Sequence, residues 1–152
     1  MKELYHVEGI LNEGFVGQIT YMISLEEVYR KLDIEFTFDK RVYEEADVTS
    51  ELMAKTREIL EREYNLHGSD EELKQAILNN MKAEIHTLAT LNDQFIGCIH
   101  KQLLTRHMHY DYPEASEGCV PQETFDGVLK VTVLVFNVIK DNTRYALTVR
   151  AE

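Results

Sequence analysis

Apolar and polar positions alternate most strictly near the end of the chain, in Phe125–Ala151 (FDGVLKVTVLVFNVIKDNTRYALTVRA). Residues two apart share a face of a strand. Leu129, Val131, Val133, Val135 and Ile139 therefore form one face of a first arm, interrupted only by Asn137. The other face carries Val128, Lys130, Thr132, Leu134, Phe136 and Val138, so the middle of the arm is apolar on both sides. Such a strand belongs inside a sheet, covered above and below. The β-branched run Val131-Thr132-Val133 favours a pleated surface over a helical turn. Asp141-Asn142 supplies a turn, because both residues tolerate positive φ and bond to nearby backbone. Tyr145, Leu147 and Val149 then alternate with Arg144, Thr148 and Arg150, an arm that buries one face. The pattern predicts a C-terminal hairpin.

Earlier in the chain, Tyr5, Val7 and Leu11 alternate with His6, Glu8 and Ile10, which predicts a strand at 3–11. Asn12-Glu13-Gly14 makes a turn. Ile19, Tyr21, Ile23 and Leu25 form a second strand, expected to pair back on the first. Leu25, Val28, Tyr29 and Leu32 fit helical spacing, and Ser24 with Glu27 reads as a capping box; a bent strand is the alternative. Leu32, Ile34, Phe36 and Phe38 opposite Asp33, Glu35, Thr37 and Asp39 make a half-buried strand with an acidic outer face.

Helical spacing dominates the middle. Thr49 or Ser50 caps a helix whose stripe is Leu52, Met53, Thr56, Ile59, Leu60 and Tyr64, closed by His67-Gly68. Ser69 and Glu72 open a second helix, with a stripe running from Leu73, Ala76 and Ile77 to Met81, Ile85 and Leu88. Phe95, Ile96, Ile99 and Leu103 continue the spacing to residue 106, with a strand at 94–102 as the alternative because Gly97 and Ile99 suit a helix poorly. Residues 110–124 hold Pro113, Pro121 and Gly118 and form the longest irregular stretch. Loops beyond about 12–15 residues tend to be functional or disordered. The predicted architecture is a single α+β domain over 1–152. An antiparallel sheet of about five strands, drawn from both chain ends, packs as one of two layers against two or three central helices.

Composition narrows the function. The net charge is −11, from 16 basic and 27 acidic residues. No segment is basic, which argues against nucleic acid and anionic membranes as partners. No apolar run approaches the roughly 18 residues needed to span a bilayer. MKELYHVEG lacks the apolar core of a secretory leader, so the expected compartment is the cytoplasm. Cys98 and Cys119 are too few for a disulfide framework and are expected as thiols.

The densest cluster of chemistry-bearing side chains is Arg106-His107-Met108-His109-Tyr110-Asp111, followed by Cys119. On an extended segment His107, His109 and Asp111 share one face. With the Cys119 thiolate they offer a ligand set suited to zinc or a similar divalent metal. His86, His100 and Asn137 are a second candidate group, lining a pocket for a small polar ligand between helix and sheet. Asn137 is the one polar residue on an otherwise apolar face and, if buried, needs a partner. Acidic neighbours Glu114, Glu117 and Glu123 argue against a nucleophilic Cys119. No phosphate-binding glycine loop, nucleophile elbow or zinc-protease helix motif occurs. The expectation is a small acidic binding or interaction protein, forming a homo-oligomer. The alternative is a metal-dependent, hydrolase-like enzyme using the His-x-His-x-Asp cluster.

Overall fold

A computed structural model of the protein describes residues 1–101 and 103–152. Among the described residues nine strands and two α-helices follow one another in the order β1 (Lys2–Leu11), β2 (Gly17–Tyr29), β3 (Lys31–Phe38), α1 (Ser50–Tyr64), α2 (Asp70–Asn80), β4 (Glu84–Leu91), β5 (Gln94–Ile99), β6 (Thr105–Asp111), β7 (Glu114–Ala115), β8 (Phe125–Asn137) and β9 (Thr143–Ala151). The strands make two antiparallel sheets. One has the order β1-β9-β3-β6-β7 and the other β2-β8-β4-β5. Their inward faces close on one core, with Leu32, Ile34 and Phe36 of β3 and Leu147 and Val149 of β9 on one side. Leu129, Val131 and Val133 of β8 face them from the other. The molecule is a β-sandwich with two helices. The single five-stranded sheet roofed by helices is thereby corrected, because strands expected to share a sheet divide between two.

The hairpin reading fails for the same reason. The arms at 125–137 and 143–151 are both strands, yet β8 pairs with β2 and β4 while β9 pairs with β1 and β3. Between them Val138 and Ile139 are buried, and the Tyr43 hydroxyl donates to the Ile139 carbonyl at 2.8 Å. The connection is thus pulled across the end of the sandwich instead of folding back. Asn142 does turn the chain, at φ 55. β1 likewise pairs with β9 and not with β2, and Asn12 and Gly14 carry the chain from one sheet to the other. The expectation that both ends meet in one sheet holds, with Lys2 opposite Ala151.

Two of the predicted helices are strands. Leu25–Leu32 continues β2 through a bulge into β3, bending at Arg30, whose amide donates to the Glu152 carbonyl at 2.7 Å. Leu25 and Tyr29 are buried in the core while Glu26, Glu27 and Val28 stay outside, so pairing with β8 overrides the local capping signal. The helix expected at 95–106 is replaced by β5 and the start of β6, close to the strand alternative; Gln102 lies outside the described residues. The second helix stops at Asn80, and Ile85 and Leu88 belong to β4.

The caps of the remaining helices are where the spacing placed them. Thr49 Oγ1 accepts from the Leu52 amide at 3.1 Å, and Ser69 Oγ from that of Glu72 at 3.2 Å. The first helix ends earlier than His67-Gly68, at Asn65, whose φ of 51 supplies the left-handed cap. Both helices close the end of the sandwich where the β1–β2 and β8–β9 connections turn. Lys55 reaches Glu13 at 3.0 Å, Lys140 reaches Asp47 at 2.5 Å, and Leu73 and Ile77 enter the core.

A tyrosine pair joins the sheets. Tyr145 of β9 crosses over Gly9 of β1 and meets Tyr21 of β2, hydroxyl to hydroxyl, at 2.5 Å. A β-carbon on residue 9 would come within 2.4 Å of the Tyr145 ring and hydroxyl. Gly9→Ala is therefore expected to cost about 1–3 kcal/mol, read as a lower midpoint of urea unfolding at unchanged slope. An unshifted midpoint would show that the ring moves aside freely. The Lys140 ammonium, with the Glu44 amide, holds the Asp47 carboxyl below its usual value. A carboxyl depressed on folding stabilises above its unfolded pKa of about 4, and the gain is lost as pH falls through the folded value. Asp47→Asn should thus lower thermal stability at pH 7 and approach the unsubstituted protein as the buffer is acidified.

Candidate functional site

The outward face of the five-stranded sheet carries a ladder of polar side chains. In the register of β3 and β6, Asp33 lies opposite His109 and Glu35 opposite His107; on the other side of β3 they face Arg150 and Thr148 of β9. Residues in register across antiparallel strands hold their side chains within contact reach. Asp33 is at the centre, with its side chain only 11% exposed. Its carboxylate accepts from His107 Nδ1 at 3.1 Å and lies 3.5 Å from His109 Nδ1 and 3.6 Å from Arg150 Nη1. Glu35 is 3.4 Å from His107 Nε2 and 3.7 Å from Arg150 Nη1. The row ends on β1, where His6 Nδ1 meets Thr148 Oγ1 at 2.9 Å. One Asp-x-Glu strand is thus matched to one His-x-His strand, with an arginine across both carboxylates.

The metal ligands expected from the sequence are only partly brought together. His107 and His109 are neighbours on the outer face of β6, as the alternation requires. Asp111 lies beyond them and pairs with Lys31 at 3.1 Å, which holds the Lys31 ammonium above its usual value. Cys119 is on the other face, against Gly97, where a β-carbon would come within 2.8 Å of its sulfur and 2.6 Å of the Tyr110 hydroxyl. Burial pushes the Cys119 thiol up, and Tyr110 pulls it back; the acidic neighbours are not what sets it. Among the described residues, no group of three or more His, Cys, Asp or Glu side chains is disposed to hold a metal ion. The guanidinium of Arg150 beside both carboxylates places a positive charge there that opposes a second cation.

The second candidate group is also divided. His86 and His100 do meet, with ring centroids 5.7 Å apart, and His86 also packs against Phe136 at 4.6 Å. They lie on the outer face of the four-stranded sheet, with Glu84 3.1 Å from His86 Nε2. Their contacts with each other, Glu84 and Phe136 come from strands and the segment after β5 and not from a helix. Asn137 is exposed at the end of β8, where its amide donates to the Lys82 carbonyl at 2.7 Å. It breaks the apolar face because the strand ends there.

Two features escaped the alternation. Asp33 and Glu35 looked like a solvated acidic face; the signal that reveals their role is the equal i, i+2 spacing of opposite-natured pairs, Asp-x-Glu and His-x-His, in two strands. Arg106 sits one residue before His107 and so faces inward, where only 3% of it is exposed.

Removing the central carboxylate strands three cationic or imidazole partners at once. Asp33→Asn should cost about 1.5–3 kcal/mol, the range for hydrogen bonds to charged groups. Asp111→Asn, which breaks an exposed pair, should cost under about 1 kcal/mol. Equal losses in denaturant titrations of the two variants would show that Asp33 does not organise the ladder.

No curated protein and no solved structure matches the chain. A family model does match, over residues 1–152, and the chain belongs to that family, DUF6669, described as a family of unknown function.

Proposed function

We propose that this is a small, acidic, cytoplasmic binding protein, non-enzymatic, that works as a homodimer with two copies joined edge to edge along β2. The observation that carries the proposal is a free edge with no charge on it. β2 is the outermost strand of its sheet, and from Gly17 to Leu25 (GQITYMISL) it contains neither acid nor base. A long, flat, uncharged edge presents unpaired N–H and C=O groups and is a template for another strand. In a chain of net charge −11, two copies approach with least repulsion along such a stretch.

The ends of the stretch fit this use. Beyond Leu25 the strand bulges, and Glu26 and Glu27 project outward, which ends the pairing-competent edge. An antiparallel pairing about a two-fold axis at Tyr21 would set Thr20 of one copy against Met22 of the other, keeping acids away from the seam. Met22 is 66% exposed and Val16 69%, apolar surface that the pairing would cover. The other long edge, β1, carries Lys2, Glu3 and Glu8 and is guarded by those charges.

Sedimentation velocity over a range of concentrations tests this. The unsubstituted protein should sediment as a dimer, and Met22→Lys, which puts a cation on each copy opposite Thr20 of the other and diagonal to its counterpart, should weaken association by at least about tenfold, roughly 1.4 kcal/mol. Met22 is exposed, so circular dichroism should be unchanged. A monomer at every concentration, or a dimer that ignores Met22→Lys, would refute the proposal.

A further inference from the structure

Arg106 is a buried cation with no carboxylate against it. Its Nε donates to the Leu103 carbonyl at 3.2 Å, and its Nη1 donates to the carbonyls of Ile85 and, at 3.5 Å, Ile99. The guanidinium carbon lies 5.4 Å from the centroid of the Phe36 ring and 5.6 Å from that of Phe38. Each of these partners is neutral. Among the described residues no acid comes within ion-pairing distance of it, although 27 acids are present in the chain. A buried charge is retained at a cost that neutral partners offset only in part. Burial, with the charge of Arg41 pushing the same way, lowers the Arg106 guanidinium to about 10.

Arg106 is among the residues that line a cleft of about 440 Å³ between the end of β5, the start of β6 and the turn Ser116–Gly118. The other cationic or imidazole groups on the wall are Lys101, His100 and His107. Glu117 is the one acid there, and it is exposed and held by Lys101 at 2.5 Å. His107 is turned toward Asp33 and Glu35 on the outer face. Ser116 accepts the His109 amide through Oγ at 3.0 Å, which leaves its hydroxyl proton to donate. A cleft lined in part by Arg106, with a lysine at the rim and a hydroxyl donor, suits negative charge.

We propose that this cleft binds a small oxyanion, a carboxylate or phosphate group, that neutralises Arg106 and draws Lys101 away from Glu117. With Nε and Nη1 given to carbonyls, Nη2 is the guanidinium nitrogen that makes no hydrogen bond among the described residues, and its two N–H groups can donate to either anion. The Lys101–Glu117 pair is at the surface, so exchanging it for a ligand costs little. The site is independent of the β2 edge, which belongs to the opposite side of the four-stranded sheet.

Amide and imidazole chemical shifts of the full chain, followed while inorganic phosphate or acetate replaces chloride at constant ionic strength, test the assignment. The expected result is saturable movement confined to Cys98–Arg106 and Ser116–Gly118 with at least one probe; the tighter probe tells phosphate from carboxylate. Lys101→Glu alters only exposed surface and should weaken binding at least about tenfold, roughly 1.4 kcal/mol. Arg106→Lys, where it folds, should weaken it similarly, because an ammonium lacks the planar spread of donors that reaches the carbonyls and a ligand together, while the charge remains. Absence of saturable shifts with both probes, shifts scattered over the surface lysines, or affinity unaltered by Lys101→Glu would each overturn the proposal.

Discussion

Everything in this structure depends on strands leaving the sheet in which the preceding strand lies. Only the β4–β5 and β6–β7 steps stay within one sheet; the other connections between successive strands pass from one sheet to the other. As a result the first two strands pair with the last two, β1 with β9 in one layer and β2 with β8 in the other. Each layer is held shut by residues more than 100 positions apart in the sequence, as in Tyr21 opposite Val131 and Val7 opposite Leu147. Non-local pairing of this kind must close large loops before it gains contacts, which places the fold among slow folders. The helices serve that closure, because they seal the end where two of the crossings pass.

The crossings also explain why chemistry collects on β6. That strand and β3 carry strict alternation, so one set of side chains is committed to the core and the other to the surface. Arg106, Met108 and Tyr110 go inward; His107, His109 and Asp111 go outward. Because β3 is flanked by β6 and β9, the carboxylates of Asp33 and Glu35 find imidazoles on one side and a guanidinium on the other. The result is a charged seam on the outside and an arginine lodged behind it, one residue apart in sequence and a full sheet thickness apart in environment.

Which face a side chain takes was legible from sequence, and which strand lies alongside was not. Alternation at Leu32–Phe38, Ile19–Leu25 and Leu129–Val135 gave the buried sets, and Thr49 and Ser69 gave the helix starts, because these depend on residues within a few positions. Partner choice depends on distant segments, so Asp141-Asn142 looked like the tip of a hairpin and is instead the foot of a crossing. Ser24 and Glu27 matched a helix start but lie in β2, where burial of Leu25 and Tyr29 against β8 decided the outcome. At the candidate site the shared face of His107 and His109 was readable. Their union with Asp33, Glu35 and Arg150 was not, since it needed the neighbours of β3. Cys119 was misplaced because a loop residue has no alternation to declare its side.

The bend at Arg30 has a wider consequence. One continuous ribbon from Gly17 to Phe38 serves as the rim of one layer and the middle of the other. Neither layer owns its strands, so no cut point yields a half with its own interior. A chain shared in this way between its layers is expected to vary by exchange of side chains and growth of its loops more readily than by gain or loss of whole layers.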